Sequence, residues 1–355
     1  MNRITGKAAR LVDVAERAGV SKATASNVFN RPGLVRDEVR ARVLAAAAEI
    51  GYAGPDPRGR MLSAGKVNAV GVATAEPLAY FFEDPYARAM MVGISEVCDA
   101  NGIGISLVSA ASEDELAWGI RSALVDGLLL FCLEDADRLI AEARERRLPF
   151  VALDLGDTDE TVPAVGIDDT AGARLAAEHL TRLGHRRFAV LAMEFGEENS
   201  GLVDMARVQA ADYASSRDRV TGYFQALAAA GIDTGKVPIY ETPAPEAVDA
   251  ALAALFAAAD PPTAILAQSD RIAMRALEWL KRRGIAVPRE VSVVGFDGVP
   301  EGAAAEPPLT TVRQPIREIG RRAVEILIER GGRIRRERLE VDLLLRASTA
   351  PPPAG

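Results

Sequence analysis

Along the first fifty residues, apolar side chains return at helical spacing in three separate blocks. Leu11, Val14, Ala15 and Ala18 form one stripe, and Gly19 stands where a left-handed residue would end the helix. Ser21 then occupies an N-cap position ahead of "KATASNVFN", in which Ala25, Val28 and Phe29 share a face. The intervening turn, "GVS", is short enough to make the two helices cross steeply, as in a helix-turn-helix. The third block offers Val39, Val43, Leu44, Ala47 and Ile50 as its inward stripe and stops at Gly51.

From Val67 onward the period changes. Short apolar runs such as "VNAVGVAT", "GIGISLVS", "DGLLLFCL", "PFVALDL", "RRFAVLA", "TAILAQSD" and "VSVVGFDG" alternate with amphipathic helical stretches. That rhythm predicts an α/β body of parallel sheets covered on both faces, and the length calls for two of them. Ligands of such sheets bind outside the strand carboxyl ends, so a cleft between two lobes is the expected site. Between head and body lies "AGPDPRGRMLSAGK", a Pro- and Gly-rich linker in which Asp56-Pro57 is also a helix-start signal.

The outward face of the second helix holds Lys22, Ala23, Thr24, Ser26 and Asn27, short or basic groups suited to base edges in a major groove. Lys22 can donate to guanine, Asn27 can pair with adenine, and Ala23 can meet a thymine methyl. Thr24, Ser26 and Asn30 are better placed for phosphate. Composition sharpens this picture. The 355 residues carry a net charge of −8, yet the first 66 hold 12 Lys and Arg against 6 Asp and Glu. A basic head on an acidic body suits a chain whose first segment alone meets nucleic acid. No apolar run approaches the ~20 residues of a membrane span. The start lacks the apolar stretch of a secretion signal, so the cytoplasm is the expected compartment. The two cysteines, Cys98 and Cys132, read as reduced, buried thiols.

"LVDVAERAGVSKATASNVFNRPGLVRDEVRARVLAAAAEIGY" resembles the DNA-binding domain of the LacI/GalR family of bacterial transcriptional regulators. The resemblance rests on "DVA…AGVS", on the "S-x-x-T-x-S-x-V-x-N" helix and on the closing "GY". Ala25 and Phe29 depart from the residues common there, and Arg36 replaces the usual capping Ser. The resemblance extends the DNA-contacting set to Leu11, Ser21 and Tyr52. It also implies a hinge helix at 55–66, whose Leu62 wedges into the minor groove with Arg58 and Arg60 beside it.

Three further runs resemble the family's sensor domain, a two-lobed fold of the periplasmic-binding-protein type: "GIDDTAGARLAAEHLTRLGHRRFAVL", "PTAILAQSDRIAMRALEWLKRRGIAVPREVSVVGFDG" and "PPLTTVRQPIREIGRRAVEIL". The implied organisation is a DNA-binding head at 1–54, the hinge, and a sensor and dimerisation domain at 67–355. Its first lobe is expected at 67–167 and 314–332, its second at 168–313 and 333–355. Arg219 and Asp270 fall where the family places paired polar ligand contacts, with Asp154, Asp169 and Gln314 at cleft or crossover positions. Phe82, Asp84 and Tyr86 follow the first strand, where an aromatic commonly stacks on a ligand ring. Phe131 occupies a place that can be polar in sugar-binding members. For Phe82, Tyr86 and Phe131, core packing is an equal alternative, and for Asp270 the alternative is a helix N-cap. The segment 194–217 reads as an insertion or flap beside the pocket.

What the resemblance implies is a homodimeric repressor of a near-palindromic operator, controlled by a small effector, a sugar or sugar derivative; the alternatives are purine- or nucleoside-type corepression and a solute-binding protein, which would need a secretion signal. Catalysis is not expected: there is no G-x-S-x-G elbow, no P-loop, and no His/Cys/Asp spacing for a metal. No cofactor is implied.

Overall fold

The structure is a computed structural model that describes residues 9–54, 65–109, 113–131, 136–153, 160–196, 200–329 and 334–353. The chain forms two compact units, the first ending at Val67.

In the first unit α1 (Leu11–Ala18), α2 (Lys22–Asn30) and α3 (Asp37–Glu49) form as the spacing predicts, with a short 3₁₀ turn at Pro32–Leu34. Gly19 ends α1 at φ 61°, and the Val20 N–H reaches back to the Ala15 carbonyl at 3.0 Å. Gly51 closes α3 the same way, with the Tyr52 N–H donating to the Ala47 carbonyl at 2.8 Å. Both ends are therefore Schellman turns, which need a residue at positive φ. Val14, Ala15, Ala18, Ala25, Val28, Val43, Ala46 and Ala47 are buried together. Leu44 is not inward but 47% exposed, and Ala46 takes the buried place. Arg36 stands at the α3 N-cap without a side-chain cap, and Asp37 and Glu38 meet the helix N-terminus instead. Phe29 rests edge-on against Tyr52, with ring centroids 5.5 Å apart.

The second unit holds two sheets. Its strands are β1 (Ala69–Thr74), β2 (Gly104–Ser109), β3 (Gly127–Phe131), β4 (Phe150–Leu153), β5 (Ala164–Ile167), β6 (Phe188–Ala192), β7 (Gly201–Val203), β8 (Ile239–Glu241), β9 (Ala264–Ala267), β10 (Ser292–Asp297), β11 (Thr310–Arg313), β12 (Arg336–Leu339) and β13 (Asp342–Leu344). The first lobe's sheet runs β12-β5-β4-β3-β1-β2, and every pairing in it is parallel. The second lobe's sheet runs β13-β11-β10-β9-β6-β8-β7, parallel except for antiparallel edges at β7 and β13. Central strands β3, β6, β9 and β10 are buried along their whole length, as strands sandwiched between helices must be.

The chain crosses between lobes after β5, after β11 and after β12. The last crossing corrects an expected boundary: 336–339 pairs with β5 in the first lobe, and the return to the second lobe comes only at β13. Segment 194–217 also differs from a free flap. It contributes β7 and the helix Met205–Gln209, with Phe195 and Val208 fully buried, and Arg207 lies 3.2 Å from the buried Glu241.

Close helix packing in both lobes depends on glycine. A Cβ at Gly222 would lie 2.2 Å from the Thr170 carbonyl, so glycine is what lets helix Ala214–Ala229 seat on helix Asp169–Arg182. A Cβ at Gly93 would lie 2.0 Å from the Arg317 carbonyl between helices Pro85–Asn101 and Ile316–Ile328. Residues 346–353 are pinned to the second lobe. His185 is fully buried and contacts Thr263 at 3.0 Å, Ser292 at 3.1 Å and the Ala350 carbonyl at 2.9 Å. Ser348 accepts the Thr310 N–H at 2.8 Å and donates to the Val293 carbonyl at 2.6 Å. Among the described residues no helix is long and apolar enough to cross a membrane, and no cluster of His, Cys, Asp or Glu could hold a metal. Cys98 is buried, and burial pushes its thiol up to about 11; Cys132 lies outside the described residues.

Candidate functional site

In the first unit, Ser21 caps α2 by accepting the Thr24 N–H at 3.1 Å, and its hydroxyl lies 2.9 Å from the Thr24 hydroxyl. That fixes the N-terminal turn of α2 and leaves Lys22 and Ala23 exposed on it. Ser26 and Asn27 are half-buried on the same helix, and Asn30 donates to the Ser26 hydroxyl at 3.1 Å. Leu11 and Tyr52 are half-buried against the head's core, and burial raises the Tyr52 phenol. The result is a rigid helix presenting a basic group, small side chains and amides on one surface, the form a major-groove reader takes. Arg58, Arg60 and Leu62 lie outside the described residues.

In the second unit the polar site gathers at strand carboxyl ends and at the crossovers. Asp169 opens the helix that follows the first crossing, while Asp168 caps that helix through the Ala171 N–H. The Arg219 guanidinium donates from Nε to Asp169 Oδ1 at 2.7 Å and from Nη1 to the Gln268 carbonyl at 2.5 Å. It also lies 3.5 Å from Asp297 Oδ1 and 3.8 Å over the Phe296 ring. Gln314, at the second crossing, donates from Nε2 to Asp297 Oδ1 at 2.8 Å. All four side chains are nearly fully buried. A guanidinium taken out of water in this way is tolerable only because carboxylates and carbonyls surround it.

Asp297 is the member that sequence reasoning missed. It ends β10 at φ 120°, followed by Gly298 at φ 76°. Such a conformation is strained for a non-glycine residue and is held here by the Gln314 and Arg219 contacts. Asp270, expected in this place, lies one layer back and is fully buried. Its Oδ1 accepts the Thr311 hydroxyl at 2.5 Å and its Oδ2 accepts the Val299 N–H at 2.8 Å. Nor is Asp270 the helix cap, since Ser269 accepts the Ile272 N–H. Burial raises both carboxyls: Asp270 to about 6, and Asp297 well above the ordinary range, with Arg219 opposing and Asp270 and Asp84 adding to the rise. The pair thus holds a proton at pH values where exposed aspartates are ionised.

The first lobe supplies aromatic rings. Phe131, at the end of β3, is 1% exposed and stacks with Tyr86 at 6.0 Å and Phe81 at 6.3 Å. Tyr80, also missed, joins this group 6.0 Å from Phe131. Phe131 is therefore the buried backing of the rings, and Phe82 stands apart at 64% exposure. Asp84 caps helix Pro85–Asn101 by accepting the Tyr86 and Ala87 N–H groups, and Arg271 of the second lobe lies 3.6 Å from its other oxygen. That contact and the Arg88–Glu301 ion pair bring the carboxyl ends of the two sheets face to face. Asp154 lies outside the described residues.

The second lobe thus gathers carboxylates, a guanidinium and an amide at its crossovers, and the first lobe gathers tyrosine rings at the end of β3. Paired donors and acceptors beside aromatic surfaces can hold a hydroxyl-bearing or planar small molecule.

Comparison with known proteins matches residues 10–54 to the family described as bacterial regulatory proteins, lacI family, and residues 177–349 to a periplasmic binding protein-like domain. The chain is 39% identical over 354 residues to the HTH-type transcriptional regulator Rv3575c of Mycobacterium tuberculosis, covering 98% of each chain. It is 32% identical to the HTH-type transcriptional regulator IpsA of Corynebacterium glutamicum, covering 96% of each. Among solved structures, the Lac repressor dimer bound to operator and the anti-inducer ONPF superposes with a TM-score of 0.78 at 26% identity, over 97% of this chain and 100% of that one. A CelR–cellobiose complex gives a TM-score of 0.69 at 29% identity, over 96% of this chain and 99% of that one.

Proposed function

The chain belongs to the LacI family of DNA-binding transcriptional regulators, and from that premise we propose that it is a repressor whose operator affinity is set by a polyhydroxylated effector, a sugar or sugar derivative, held between the two lobes of its second unit. The observation that carries this reading is the buried Asp169–Arg219–Asp297–Gln314 cluster at the crossovers, and the first lobe adds a group of rings that includes Tyr80 and Tyr86. Carboxylates accept from sugar hydroxyls, the guanidinium and amide donate to them, and tyrosine rings cover the apolar face of a pyranose. Asp169 directly follows the first crossing between lobes and Gln314 begins the second, so a ligand contacting this cluster touches the joints about which the lobes turn. An effector acts only through unequal affinity for the two lobe arrangements, and contacts at the joints supply that inequality.

In the first unit and the hinge, Lys22, Ala23 and Asn27 read base edges, Thr24, Ser26 and Asn30 hold phosphates, and Leu62 with Arg58 and Arg60 enters the minor groove. A two-fold dimer places one such head on each half of a near-palindromic operator.

The test is a thermal-shift screen of the purified chain against sugars, polyols and nucleosides, with operator binding measured beside each hit. A ligand at a hundredfold excess over its Kd stabilises the state it binds by about 2.7 kcal/mol, an easily read shift. A sugar or polyol that stabilises the protein and releases operator supports the proposal. A nucleobase that tightens operator binding replaces it with corepression, and operator binding unmoved by every class overturns the effector reading.

A further inference from the structure

Four charges outside the buried cluster bridge the lobes in a crossed pattern. Asp84 and Arg88 stand one helical turn apart at the start of helix Pro85–Asn101 in the first lobe. Arg271 opens the helix after β9 and Glu301 the short helix after β10, both in the second lobe. Asp84 Oδ2 lies 3.6 Å from Arg271 Nε, and Arg88 Nη2 pairs with Glu301 Oε1. Each lobe thus presents one acid and one base to the complementary base and acid of the other.

The two first-lobe residues are built alike. Asp84 spends Oδ1 on its own lobe, accepting the Tyr86 and Ala87 N–H groups, and turns Oδ2 to Arg271. Arg88 spends Nη1 on the Glu83 carbonyl at 3.2 Å and the Phe82 carbonyl at 3.4 Å, and turns Nη2 to Glu301. One atom of each side chain is fixed at home, so little rotamer freedom remains to be lost when the other atom meets its partner. Asp270 sets the opposite side of the clasp. It directly precedes Arg271, and its carboxylate holds the Val299 N–H just ahead of Pro300–Ala304.

We propose that Asp84–Arg271 and Arg88–Glu301 form an electrostatic clasp that holds the lobes closed without an effector and thereby sets how tightly the cleft binds one. The inference concerns lobe closure alone and does not depend on which effector class the cleft takes. Arg88 and Glu301 are 44% and 41% exposed, and Arg271 is 52% exposed against 12% for Asp84. Pairs with at least one solvated partner shift an equilibrium by up to about fivefold each. That is enough to bias closure and weak enough for a ligand to override it. Exposed pairs are also screened by salt, so closure loosens as ionic strength rises.

The experiment measures the distance between nitroxides at Asp99→Cys in the first lobe and Glu278→Cys in the second. It uses the full chain with native cysteines replaced by alanine and labelled chains diluted with unlabelled ones. Arg88→Glu and Glu301→Arg each move the distribution to longer, broader distances, and the double reversal restores the wild-type one. Arg88→Gln, which removes the charge without reversing it, gives a smaller displacement in the same direction. A wild-type distribution in either single reversal, or a double reversal that stays open, overturns the clasp. Neither result bears on whether a sugar binds the cleft, which the thermal-shift screen decides separately.

Discussion

At the scale of single residues, the two buried aspartates have different tasks. Asp270 has both oxygens consumed inside its own lobe, whereas Asp297 faces Arg219 and Gln314. Sequence could not separate them, because each is an acid at the carboxyl end of an apolar strand. What distinguishes them is the positive φ of Asp297 and its contact with Gln314 at the second crossing. Asp297 accepts from the buried Gln314 amide and from the Asp270 N–H, and its loss leaves both donors without that acceptor. Asp297→Ala is therefore expected to destabilise the second unit by about 2 kcal/mol in urea unfolding. A loss under about 0.5 kcal/mol would mean that both donors find other acceptors.

At the scale of elements, most of the DNA-binding head was legible, since its signals are local. Gly19 and Gly51 end helices, Ser21 starts one, and each acts within a few residues of itself. Leu44 was misread because hydrophobicity alone does not say which edge of a stripe a neighbour covers. The buried face of α3 runs through Val43, Ala46 and Ala47, one step round from Leu44. Pairing across the body was harder to read. Nothing in "RERL" says that it joins β5 rather than the second lobe, because a strand's partner is fixed by long-range packing. The cap offers a direct check: Ser21→Ala should lower the head's stability by about 1 kcal/mol, read by thermal melting of the full chain, and weaken operator binding. Unchanged melting with weaker binding would make Ser21 a contact to DNA and not a cap.

At the scale of the whole molecule, the buried imidazole beneath the C-terminal segment links stability to pH. Burial holds His185 below its ordinary value, against the opposing pull of the Ala350 carbonyl. The folded chain then binds fewer protons than the unfolded chain below about pH 6.5, so this contribution is complete above that pH and fades as pH falls. Asp270 slopes the other way. Raised from 3.8 to about 6, it stabilises fully below about pH 4 and loses that contribution as pH rises through 6. Comparing urea midpoints of wild type and His185→Asn between pH 7.5 and 5.5 cancels the aspartate. The wild type should decline relative to the variant across that range; parallel curves would mean that folding leaves the imidazole's proton affinity unchanged.

The route of the last strands also bears on the order in which the protein comes into being. β12 completes the edge of the first lobe's sheet, and β13 with Ser348 and Ala350 completes the second. During synthesis neither lobe can finish its sheet until residues 336–350 have left the ribosome, long after the unit ending at Val67 has emerged. A message broken before codon 336 would thus yield a nucleic-acid-reading head attached to two lobes, each lacking an edge of its sheet.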